Sequence, residues 1–102
     1  MPNSGGGSTN TAPVLSPIGS KTVTEASALV FIATASDDET PQSLTYSLDP
    51  GSPGGASITP GGLFTWTPTE NQGPNVYAVT IHVSDVGNPI MTDSETISIT
   101  VT

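Results

Sequence analysis

Nine carboxylates and one basic side chain, Lys21, set the chemistry open to this 102-residue chain. The negative field they create draws cations, and clustered carboxylates relieve their mutual repulsion best by sharing a divalent ion such as calcium. The same field repels phosphate backbones and anionic headgroups, so nucleic acid and membrane surfaces are poor partners. The catalytic inventory is otherwise thin. With no cysteine in the sequence, disulfides, thiolate zinc sites and cysteine nucleophiles are excluded. His82 is the sole histidine, too little for a zinc centre or a Ser/His triad, and its place on the polar face of a strand reads as an exposed side chain. Glycoside hydrolysis needs two carboxylates about 5 to 9.5 Å apart across a cleft, and a domain this small offers little room for one. No catalytic residue is expected.

The aromatic inventory is equally short: Phe31, Tyr46, Phe64, Trp66 and Tyr77. Most of them share strand faces with aliphatic residues, so the sequence places them in a core and not on a sugar-stacking platform. Lys21 could in principle form an intramolecular isopeptide bond with an Asn or Asp. Its position at a strand edge between Ser20 and Thr22 favours a solvated side chain instead.

The elements that must position these residues are strands. The chain holds ten prolines and eleven glycines, and much of the rest is Thr, Ser, Val and Ile, which favour pleated over helical structure. Period-2 alternation predicts strands over 28–35 (Leu29, Phe31, Ala33 and Ala35 on one face), 43–48 (Leu44, Tyr46, Leu48), 77–84 (Tyr77, Val79, Ile81, Val83) and 96–102 (Ile97, Ile99, Val101). Weaker runs lie at 13–18 with 22–25, at 56–59, and at 63–67 around Trp66. Prolines 13, 17, 60 and 68 confine those runs to edges or short pieces. Turn chemistry separates the runs: DPGSPGG at 49–55, PGG at 60–62, NQGPN at 71–75 and VGNP at 86–89. Seven short strands with one apolar face each predict an all-β, seven-stranded antiparallel sandwich with Ig-like or cadherin-like Greek-key connections. Residues 1–9, MPNSGGGST, read as a flexible linker or tail without the charged and apolar regions of a signal peptide, and residues 10–102 as the module. No stretch approaches the ~20 apolar residues of a membrane-spanning helix.

Several segments in this order resemble the bacterial cadherin-like domains, among them the dystroglycan-type cadherin-like and Putative Ig modules. They are NTAP at 10–13, TVTEASALVF at 22–31, ATASDDE at 33–39, LTYSL at 44–48, GLFTWTPTENQG at 62–73 and VYAVTIHVSDVGNP at 76–89. The LFTWTP run followed by a Tyr-led strand ending in VSD is the most specific part. The resemblance implies a non-catalytic spacer or adhesion module of a larger secreted or cell-surface bacterial protein. Its partners would be neighbouring domains of the same polypeptide, other cadherin-like domains or polysaccharide. The family also occurs in polysaccharide-processing proteins, which makes carbohydrate or protein recognition the alternative.

Calcium sits between consecutive domains in such families. The matching positions are Asn10, Asp37, Glu39 and Asp85 toward the N-terminal end, with Asp38 as a stand-in for either neighbour, and Glu25 and Glu70 at the opposite end. Calcium cadherins carry Asp-x-Asn-Asp where this chain reads Ser8-Thr9-Asn10-Thr11, and Leu-Asp-Arg-Glu where it reads Thr67-Pro68-Thr69-Glu70. Fewer charged ligands move the expected affinity toward or beyond the ~10⁻⁴ to 10⁻³ M of extracellular modules.

Overall fold

In a computed structural model of the chain, residues 12–36, 44–85 and 90–102 are described. Nine strand segments appear: β1 (Val14–Leu15), β2 (Lys21–Val23), β3 (Leu29–Ile32), β4 (Ala35–Ser36), β5 (Thr45–Leu48), β6 (Ser57–Ile58), β7 (Leu63–Trp66), β8 (Asn75–Ser84) and β9 (Thr92–Val101). One 3₁₀ turn, Glu70–Gln72, precedes β8. The segments correspond to the seven expected strands. The first is broken into β1 and β2, and the second into β3 and β4.

One sheet has the order β2-β9-β8-β5 and the other β3-β7-β6, while β1 pairs with β4. The β1–β4 pair extends the second sheet, because the Ala33 amide still bonds Gly62 O while Thr34 O accepts the Ser16 amide. The register follows the alternation: Tyr46, Val79, Ile81, Val83, Ile97, Ile99 and Val101 from the first sheet meet Ala33, Phe64 and Trp66 from the second in one buried core. Each fully buried Val, Ile or Phe contributes roughly 1.5–3 kcal/mol against exposure. Phe31 stacks on Phe64 with ring centroids 4.6 Å apart.

The β2–β9 pair is parallel, against the antiparallel neighbours expected of short loops. Strand parity explains it. Strands that alternate in direction put the first and the seventh in the same sense, so they are parallel wherever they lie side by side. The same parity sends the chain in at one end of the sandwich and out at the other.

Gly62 is a position where the backbone itself leaves no room for a side chain. Its φ is +103°, and a Cβ there would lie 2.5 Å from Ala33 O. Only glycine allows the turn at 59–62 to bring β7 against the β3–β4 run.

Candidate functional site

Among the described acids, Asp85 lies at one end of the sandwich and Glu25 and Glu70 at the other. At the N-terminal end, Val14 faces Ser36 and β8 finishes at Ser84, opposite Thr92. Asp85 follows, and it is only 3% exposed. Its Oδ1 accepts the Met91 amide at 2.9 Å, and its own amide donates to Met91 O at 3.0 Å. Asp85 therefore clasps the β8–β9 connection as well as standing where a cation ligand was expected. The other expected ligands of this end, Asn10, Asp37, Asp38 and Glu39, lie outside the described residues.

At the C-terminal end, the Glu25 amide donates to Thr102 O and the Ala26 amide to Pro68 O. Ala26 sits at φ +65°, a conformation that costs a residue with a Cβ about 1–2 kcal/mol. The Glu25 carboxylate packs over Gly73, where an added Cβ would lie 2.5 Å from Oε2. The Gly73 amide in turn closes the Glu70–Gln72 turn on Glu70 O. The fold thus brings the Glu25 carboxylate against the turn that carries Glu70. Among the described residues, no three His, Cys, Asp or Glu side chains converge as a metal cluster.

The segment that carries the most specific part of the resemblance does structural work at the same end. Trp66 is buried and meets Tyr77 edge to face at 5.3 Å. Its Nε1–H donates to Gly54 O, which also accepts from Gln72 Nε2, and the Tyr77 hydroxyl donates to Gln72 O. One carbonyl and one glutamine tie the 49–55 loop to the 3₁₀ turn.

Other expected site residues also have definite places. His82 is half-buried and not exposed, with Nε2 paired to Asp49 on the outer face of the first sheet. Lys21 is likewise half-buried, its ammonium 5.3 Å from the Phe31 ring centroid. This cation–π contact replaces the expected solvated side chain. Burial pushes the Tyr46 phenol above its ordinary pKa, and a backbone hydrogen bond at Ala35 partly offsets the shift. On the outside of the second sheet, Val30, Ile32 and Leu63 are exposed, with Ile32 directly opposite Leu63.

Sequence reasoning passed over Asp93 and Glu95. Leu15 N–H donates to Asp93 Oδ2 at 2.7 Å, and Ile18 and Gly19 N–H donate to Glu95 Oε1 and Oε2 at 2.8 and 3.2 Å. A signal was available. In TDSETISITV the two acids fall in the same alternating phase as Ile97, Ile99 and Val101, so they occupy core-facing positions. A search for apolar residues alone started this strand at 96, whereas β9 begins at Thr92.

The fold recurs in solved structures. A nucleoside hydrolase-related hypothetical protein from Saccharophagus degradans, associated with carbohydrate metabolism, superposes with a TM-score of 0.75 at 20% identity, over 91% of this chain and 26% of that one. Repeats EC1-2 of human protocadherin-24 give 0.70 at 21% identity, over 92% and 44%. Repeats EC22-24 of mouse cadherin-23 give 0.66 at 26% identity, over 88% and 30%. The chain thus spans between about a quarter and under half the length of these proteins. No curated protein matches the sequence. A family profile described as Putative Ig domain matches residues 12–102, and with every described residue inside that match, the protein belongs to the Putative Ig domain family.

Proposed function

We propose that this chain is a non-catalytic spacer and adhesion module of a larger extracellular protein, holding its neighbours in line and stiffened by calcium at its ends. One observation carries the reading: the chain enters the sandwich beside Val14 and leaves it beside Thr102, at opposite ends. A module threaded in this way adds its full length to an array. The cadherin repeats that share its fold support the adhesive side of the reading.

Calcium would be held at the N-terminal end by Asp85 with Asn10, Asp37, Asp38 and Glu39, and at the C-terminal end by Glu25 and Glu70 together with the neighbour's residues. An ion bound only by the folded, aligned state removes hinge freedom and adds stability by mass action. The experiment is small-angle scattering of two copies joined head to tail, in millimolar calcium and in EDTA. The reading predicts a maximum dimension near twice that of one copy with calcium, and a shorter, broader distribution in EDTA. A folded-back pair in both buffers would overturn it.

The Saccharophagus neighbour favours a second reading, a recognition module in a secreted polysaccharide-processing protein. Trp66 and Phe64 are buried, so glycan contact would fall to polar loops or to the exposed Val30–Ile32–Leu63 face. Co-sedimentation with insoluble polysaccharide tests this reading directly.

A further inference from the structure

The first strand leaves one sheet before it joins the other, and that gap has to be closed. Between Leu15 and Lys21 the backbone makes no ladder with β9, Pro17 has no amide to give, and Gly19 turns at φ +80°. The amides of Leu15, Ile18 and Gly19 instead reach carboxylates almost 80 residues away, at Asp93 and Glu95. Beyond the gap, Lys21–Val23 run parallel to Ile99–Val101, the Thr102 amide donates to Val23 O, and the Glu25 amide donates to Thr102 O. From Leu15 to Glu25 the entering chain is therefore fastened along the final strand.

We propose that this run is a tension clamp, with Asp93 and Glu95 as its latch. The proposal rests on the spacer reading for its purpose but not for its geometry. Tension on the two termini pulls the entering chain toward one end of the sandwich and β9 toward the other. Because the two run parallel, the latch bonds and the β2–β9 bonds are loaded side by side in shear and must yield together, whereas a hairpin pulled open at one end yields bond by bond. Bonds to ionised acceptors are about twice as strong as neutral ones, so carboxylates are the fitting chemistry. Stability alone does not explain them. Asp93 and Glu95 share the core-facing phase of Ile97, Ile99 and Val101, where apolar residues would pack without desolvating a charge. An apolar side chain could not grip the three amides.

The test is optical-tweezer pulling of the whole chain through one cysteine added at each terminus, since the sequence has none of its own. Asp93→Ala, Glu95→Ala and the double variant are compared with Ile58→Ala on β6, a strand that among the described residues pairs only with β7. Forced unfolding is governed by the unfolding rate, and each bond to a charged acceptor should change that rate about tenfold at a given load. The expected result is faster unfolding under load in the latch variants, with an early extension step as the entering chain detaches. Ile58→Ala, with a comparable loss of thermal stability, should keep the wild-type force. Glu95→Gln, which retains one carbonyl acceptor, should fall between Glu95→Ala and wild type and covers the case in which the double variant does not fold. Equal unfolding forces for latch variants and wild type, or an equal drop in Ile58→Ala, would overturn the clamp. A tandem pair that bends in scattering while the single domain holds under tension would remove the spacer reading and leave the clamp standing.

Discussion

Asp85 accepts the Met91 amide from a nearly buried position, so its roles in structure and in cation binding are separable by substitution. Asp85→Asn keeps an oxygen for the Met91 amide and removes the charge. It should leave the melting temperature in EDTA near wild type and abolish any rise with calcium. Asp85→Ala should cost about 1–3 kcal/mol in both buffers, because it strands the partly buried Met91 amide. Equal melting of the two variants in EDTA would show that the Met91 bond contributes nothing.

Two backbone positions make an opposed pair. Gly62→Ala should destabilise by about 2 kcal/mol or more, since the new Cβ meets Ala33 O in a conformation that already disfavours it. Ala26→Gly should stabilise by up to about 1 kcal/mol by relieving the positive φ. Chemical denaturation followed by the fluorescence of the single tryptophan measures both. Tyr46 adds a pH effect. Its pKa is raised in the folded state, so its stabilising contribution is complete below the unfolded value near 10 and is lost as pH climbs through the higher folded value. Wild type should lose melting temperature above about pH 10 more steeply than Tyr46→Phe, and parallel curves for the two would contradict the assignment.

At the scale of elements, alternation revealed the fold wherever one face of a strand is apolar. Leu29, Phe31, Ala33 and Ala35 all face inward while Val30, Ile32 and Thr34 are exposed, and the inward phase of β8 runs from Tyr77 through Val83 to Asp85. The break in the first strand was legible as two weak runs, 13–18 and 22–25, held short by proline. What closes the gap was not, because the carboxylates lie almost 80 residues away and local sequence carries no record of such partners. The candidate site was less legible for a related reason: an acid in a loop reads the same whether it holds a cation, caps an amide or is solvated. Asp85 does cap an amide, Glu25 packs on Gly73, and Asp49 pairs with His82. The tie between the 49–55 loop and the 3₁₀ turn belongs to this scale too. Trp66→Phe fills most of the same space but loses the bond to Gly54 O, so it should cost about 1–3 kcal/mol. It should also raise amide exchange in the loop at 49–55 more than in β8.

For the whole molecule, an odd number of alternating strands places entry and exit at opposite ends, makes the first and last strands parallel, and lets tension run through the β2–β9 seam. Spacer and clamp both rest on that one property. The charges suit it as well. Apart from the His82–Asp49 pair, the described residues on the exposed outer strand faces carry mostly hydroxyls and aliphatics, while Asp85, Glu25 and Glu70 lie at the ends and Asp93 and Glu95 along the seam. The most direct test is the distance between spin labels placed at Ala12 and Thr102, read by pulsed dipolar spectroscopy. The length of β9 alone, at about 3.3 Å per residue, predicts a single narrow distribution centred at about 30 Å or beyond. A distribution centred near 15 Å would put both termini at one end and contradict the account.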